Sequence, residues 1–210
     1  MIDLKKEIKL AFSENKLAIC VATAILVVTL IAGYFLEPYL NASLQPVVDN
    51  LSDGVKSGDI PITFQSIFSN NLKIVLVTFL CGILFCFSAV ILAYNGLFIG
   101  FFTATQDNLL LTLLLLVPHG IFELPSCIIA CASGFVLFNF LYRLLKTWYF
   151  QDESLGLRKG LYESYMENFD KLKQAFLLLG VSIVLMIIAG IVEVYFTTAF
   201  ADYIMKLLYY

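Results

Sequence analysis

The sequence predicts an all-α, polytopic integral membrane bundle with about five transmembrane helices, one of them broken, and amphipathic helices at the interface. Three observations lead there. Hydrophobic residues make up 60% of the 210-residue chain and charged ones only 14%, against about 45–50% and about 25% in soluble domains. Mean hydropathy is +0.90. Long uncharged runs recur at the length of a spanning helix, ~20 residues, and a segment in lipid must satisfy its backbone internally. A net charge of −3 leaves no basic surface for nucleic acid.

Residues 1–16 read as an N-terminal amphipathic helix, with Leu4, Ile8, Ala11 and Phe12 on one face and Lys5, Lys6 and Lys9 elsewhere. Such a helix either lies in the interface, drawn to anionic headgroups, or packs on the end of the bundle. The first span is 17–36. Its apolar run exceeds the ~7–15 residues of a signal peptide and no Ala-x-Ala follows, so it reads as an uncleaved anchor. Residues 37–73 form an extracytoplasmic loop, in which Asn41 and Asn50 each open an Asn-x-Ser glycosylation pattern. Further spans are expected at 74–94, 97–117, 120–142 and 175–194, and residues 143–174 form a cytoplasmic loop.

The segment 97–117 is interrupted by Thr105-Gln106-Asp107-Asn108, yet the charges require it to cross. Lys5, Lys6, Lys9 and Lys16 precede the first span, and six Lys or Arg residues (Arg143, Lys146, Arg158, Lys159, Lys171, Lys173) follow the fourth. The 37–73 loop is acidic. Cytoplasmic loops hold the excess of Lys and Arg, so both basic regions belong on the same side. Five crossings satisfy that, with the N-terminus cytoplasmic and the C-terminus outside. Trp148, Tyr149 and Phe150 suit an aromatic belt after the fourth span. In 158–173, Leu161, Tyr165, Phe169 and Leu172 repeat the amphipathic pattern.

Three ionisable residues, His119, Glu123 and Glu193, fall inside apolar runs, where a charge costs ~2.5–3.5 kcal/mol on insertion scales. They either line a path for an ion or substrate or glue helices together. Around Glu123 the chain reads Pro118-His119-Gly120-Ile121-Phe122-Glu123-Leu124-Pro125, which suggests a helix start or break. His119, Glu123, Cys127 and Cys131 share a helical row. That row is spread along one helix, and no second histidine exists, so no metal site is expected. The cysteines (Cys20, Cys81, Cys86, Cys127, Cys131) read as small packing residues. Two seams, Ser126-Ala130-Gly134 and Gly96-Gly100 after Asn95, let helices approach closely, within the chain or between two copies of a homodimer.

The Pro118–Pro125 stretch, with Val117 before it, resembles the signature of the stage II sporulation protein M family. Asn70-Asn71, Asn95-Gly96 with Gly100, and Ala189-Gly190-Ile191-Val192-Glu193 extend the resemblance over most of the chain. After Glu193 the chain departs from the pattern, reading Val194-Tyr195-Phe196-Thr197-Thr198 where a proline is expected. The resemblance implies a five-span plasma-membrane protein. In spore formers the namesake acts during engulfment with peptidoglycan-degrading partners, but the family also includes organisms that make no spores, archaea among them. With no nucleophile, zinc or phosphate-loop motif, the expectation is a non-catalytic scaffold for membrane or envelope proteins, with no cofactor. The alternative is a channel or transporter whose path passes Glu123.

Overall fold

The computed structural model describes residues 3–58, 63–84, 87–150 and 156–209. Among them every regular element is helical: α1 (Leu4–Glu14), α2 (Lys16–Phe35), α3 (Glu37–Ser57), α4 (Phe64–Leu80) with a 3-10 turn at Cys81–Ile83, α5 (Phe87–Ala104), α6 (Leu109–Tyr149), α7 (Leu157–Val192), a π-helical turn at Glu193–Thr197, and α8 (Thr198–Tyr209). Five helical stretches are long and apolar enough to cross a membrane: Lys16–Phe35, Phe64–Ile83, Phe87–Ala104, Leu109–Tyr149 and Arg158–Leu207.

The helix boundaries differ from the expected spans at both ends of α5. The run 74–94 is not one helix. Its first part belongs to α4, which begins at Phe64 behind a Thr63 cap, and the chain turns at Cys81–Ile83. Apolar content cannot reveal that turn, because Gly82 lets the backbone rest directly on Gly134 of α6. Residues 97–117 are likewise not one span. The polar quartet 105–108 separates α5 from α6, and the Asn108 side chain caps α6 by accepting from the Leu111 amide.

α6 is the longest single α-helix, with 41 residues, and it runs through Pro118 and Pro125 without interruption. The expected helix start near 118–120 is therefore corrected. Each proline removes one N–H, leaving the carbonyls of Leu114 and Ile121 without their usual donor, and membrane helices tolerate this when neighbours compensate. The 37–73 segment is mostly helix, in α3 and the start of α4, and the 143–174 segment is built largely from the ends of α6 and α7.

α6 and α7 form an antiparallel hairpin, with Phe140 against Tyr165 at one level and Ser126 against Ser182 at another. The buried positions Ser126, Ala130, Ser133, Leu137 and Phe140 alternate steps of four and three, the spacing that keeps a seam facing its partner. α2 packs on α5 instead, through glycines. A Cβ on Gly33 would strike the Leu97 carbonyl, and one on Gly100 would strike the Leu30 carbonyl. Here the seam from the sequence, Gly96 and Gly100, lies against a helix of the same chain.

At the basic end, α1 docks on α7 by one face. Ala11 is fully buried, Phe12 packs against the core, and Leu4 is exposed. In 158–173, Tyr165 and Leu172 pack inward, whereas Leu161 and Phe169 are exposed. Cys127 and Cys131 are buried, Cys81 is half-buried and Cys20 is exposed. Cys86 lies outside the described residues. Both Asn41 and Asn50 sit within α3, and the Asn41 amide donates to Glu37.

Candidate functional site

The polar row on α6 meets two other segments, the π turn and α5. His119 Nε2 lies 3.8 Å from Glu123 Oε2, one turn along the same helix, a contact that becomes an ion pair only when the imidazole is protonated. The other ring nitrogen, Nδ1, stands 3.5 Å from Thr197 Oγ1. The Glu193 carboxyl lies close enough to that of Glu123 to interact with it electrostatically. One turn further along α6, Asn95 of α5 donates its amide to Cys127 Sγ at 3.5 Å. His119, Glu123 and Glu193 are all partly covered, neither sealed nor open.

Glu193 and Thr197 are presented by the π turn. Beyond Ala189, the inward-facing positions step by four: Glu193, Thr197, Ala201. Successive steps of four drift around an α-helix, and a wider turn absorbs the drift. Thr197 Oγ1 also donates to the Val192 carbonyl five residues back, at 3.1 Å, which supports that turn. Single π turns within helices are frequent at functional sites.

The remaining predicted residues have distinct places. Pro118 and Gly120 are buried and Pro125 is half-buried, yet a Cβ on Gly120 would meet nothing within 4 Å. Ser126 faces α7: its hydroxyl donates to the Ser182 carbonyl and receives the reciprocal bond at its own carbonyl, both at 2.8 Å. Ala130 is buried in the same seam. Gly134 turns the other way, toward Ser88 and the Thr78 carbonyl, and Ser88 donates to that carbonyl at 2.6 Å. Among the described residues, no group of three or more His, Cys, Asp or Glu side chains is arranged to hold a metal ion.

Sequence reasoning missed Thr197. Its spacing of four from Glu193 mirrors the spacing of His119 from Glu123, and that symmetry was the available signal. It also missed the pairing of Asn95 with Cys127, because no spacing rule links residues on different helices.

This arrangement defines a polytopic helical membrane protein with a partly buried His–Glu–Glu–Thr cluster between α6 and the π turn. The family model for stage II sporulation protein M matches residues 19–198, and the chain belongs to that family. Two uncharacterized proteins of Methanocaldococcus jannaschii are similar to it. One is 34% identical over 152 residues, covering 70% of this chain and 78% of the relative. The other is 29% identical over 206 residues, covering 92% and 86%. No solved structure matches the chain.

Proposed function

We propose that the protein is a non-catalytic plasma-membrane scaffold that recruits or positions cell-envelope proteins, with its N-terminus cytoplasmic and its C-terminus outside. The observation that carries this reading is the length of the α6–α7 hairpin. The 41 residues of α6 extend about 60 Å at 1.5 Å per residue, twice the ~30 Å of a hydrocarbon core. Residues 109–117 carry no charge, whereas Arg143, Lys146 and seven charged residues from Arg158 to Lys173 cluster at the other end. That end therefore stands out of the bilayer. It carries exposed Tyr162, Met166 and Phe169, apolar surface that lipid does not cover and that marks a protein contact.

Crosslinking in native membranes followed by capture of the full-length protein tests the reading. A specific protein should be retained by the wild type and lost with Y162S/M166S/F169S, while the variant keeps its elution profile in detergent. Failure of the wild type to retain any specific protein rejects the scaffold.

The His119–Glu123–Glu193–Thr197 cluster supports a second reading, an ion or solute path between α6 and the π turn. Acids at such positions mark ion pathways by default. Flux through proteoliposomes that disappears in Glu123→Gln supports it, and flux equal in both proteins removes Glu123 from any path.

A further inference from the structure

The N-terminal helix carries two sets of charges with different fates. Its acids face the bundle. Glu7 pairs with Lys173 at 2.9 Å and Glu14 with Lys171 at 2.8 Å. The buried Asn15, at the junction with α2, donates to Gln174 at 2.9 Å, and Gln174 donates in turn to Glu14 at 2.9 Å. Its lysines face away. Lys5, Lys6 and Lys9 are exposed, as is Lys16 at the first turn of α2, and none of them enters an ion pair found among the described residues.

The same contacts fix the direction of the helix. Positions 7 to 15 extend about 12 Å along α1, yet they reach only positions 171–174 of α7, about 4.5 Å of rise. α1 therefore lies across α7 rather than alongside it, at the level where the charged part of α7 gives way to its apolar part at Ala175. It also joins directly to the first span through Asn15. A helix lying crosswise at the start of a span, with its acids neutralised on one side and three free lysines on the other, is placed against the headgroup layer.

We propose that the lysine face of α1, formed by Lys5, Lys6 and Lys9, binds the anionic phospholipid headgroups of the adjoining leaflet, so that α1 is held by α7 on one side and by the membrane on the other. Leu10, exposed beside Lys6 and Lys9, supplies an apolar contact below the phosphates, and the lysine stems reach past it to the charged layer. A basic segment at a membrane surface gains about 1 kcal/mol per Lys or Arg from anionic lipid. This inference is independent of both functional readings above.

The test uses the full-length protein in nanodiscs of pure phosphatidylcholine and of phosphatidylcholine doped with phosphatidylglycerol. Amide hydrogen exchange of residues 4–14 is the readout. The anionic lipid should slow exchange by roughly fivefold or more, the factor contributed by a single lysine at that energy. K5Q/K6Q/K9Q should abolish the difference while leaving exchange in the neutral disc unchanged, because the Glu7 and Glu14 contacts persist. R158Q/K159Q, at the far end of the hairpin, should keep the wild-type difference. Equal exchange of the wild type in the two discs overturns the proposal. So does a difference that survives K5Q/K6Q/K9Q, or slowing produced in neutral discs by soluble glycerol phosphate alone.

Discussion

The two main helix pairs are held together in different ways. α2 and α5 touch backbone to backbone: Gly33 abuts Leu97, Gly96 abuts Thr29 and Leu26, and Gly100 abuts Leu30 and Tyr34. α6 and α7 touch through side chains, in a heptad seam of Ser126, Ala130, Ser133, Leu137 and Phe140 with serine hydroxyls crossing between carbonyls. In lipid, helices gain little from apolar burial and rely on close packing and hydrogen bonds. The first pair uses close packing. The second uses both. Close packing tolerates no added atom, whereas a side-chain seam can lose one bond and keep its register.

The largest effects should therefore come from glycines. Gly82→Ala and Gly100→Ala each force a methyl into an opposing backbone that cannot move aside. Overpacking costs typically about 1–3 kcal/mol and more where the neighbour is rigid, and both variants should lose the monodisperse detergent-stable species on gel filtration. Gly120→Ala should behave as wild type, since a Cβ there would meet nothing within 4 Å. A Gly120→Ala variant that fails to fold would show that the Pro118–Pro125 segment is close-packed as the α2–α5 pair is, and the contrast would fall.

A smaller effect belongs to the serine seam. Ser126→Ala or Ser182→Ala should each lower thermal stability by roughly 0.6 kcal/mol, with an upper bound near 1.7 kcal/mol. The double variant should cost less than the sum, because the two hydroxyls also contact each other at 3.0 Å and either single variant already removes that contact. Strict additivity in a double-mutant cycle would show that the two bonds act separately.

This difference between the pairs also explains what the sequence could reveal. The all-α membrane class followed from hydropathy alone, because lipid selects for apolar length. The residues Gly96, Gly100 and Ser126 stood out because small side chains have few other uses inside a span. Which helix each one meets did not stand out. Gly134 sits in the same apparent row as Ser126, yet it faces the α4–α5 turn rather than α7. The turn at Gly82 was hidden in the same way: Ile74 to Tyr94 is uniformly apolar, and the reason to bend there is a glycine on another helix. The prolines misled in the opposite direction. Pro118 and Pro125 are local breakers by every isolated-helix rule, yet α6 continues through both. Local chemistry set the starts of α4 and α6 at the Thr63 and Asn108 caps, and the contact with Gly134 set the turn at Gly82.

The smallest effect is expected at the α1–α7 contact, where the interaction is electrostatic and partly solvated. Lys171 and Gln174 donate to the Glu14 carboxylate, and they hold it below the ordinary value of 4.5. A carboxyl whose value is lowered in the folded state contributes stability that is complete above 4.5 and is lost as pH falls through the lower, folded value. Docking of α1 should therefore be constant from neutrality down to about that pH and weaken below it. The Glu14 side chain is 42% exposed, so water screens the pair and the change should be modest. Exchange protection of residues 4–14, corrected for the intrinsic pH dependence of exchange, reports it. In Glu14→Gln the acid-side loss should shrink, because the carboxyl that Lys171 and Gln174 hold down is gone. An unchanged acid profile in that variant would assign the docking of α1 to Ala11, Phe12 and Asn15 packing alone, and the α1–α7 contact would then resemble the steric α2–α5 pair rather than the polar seam.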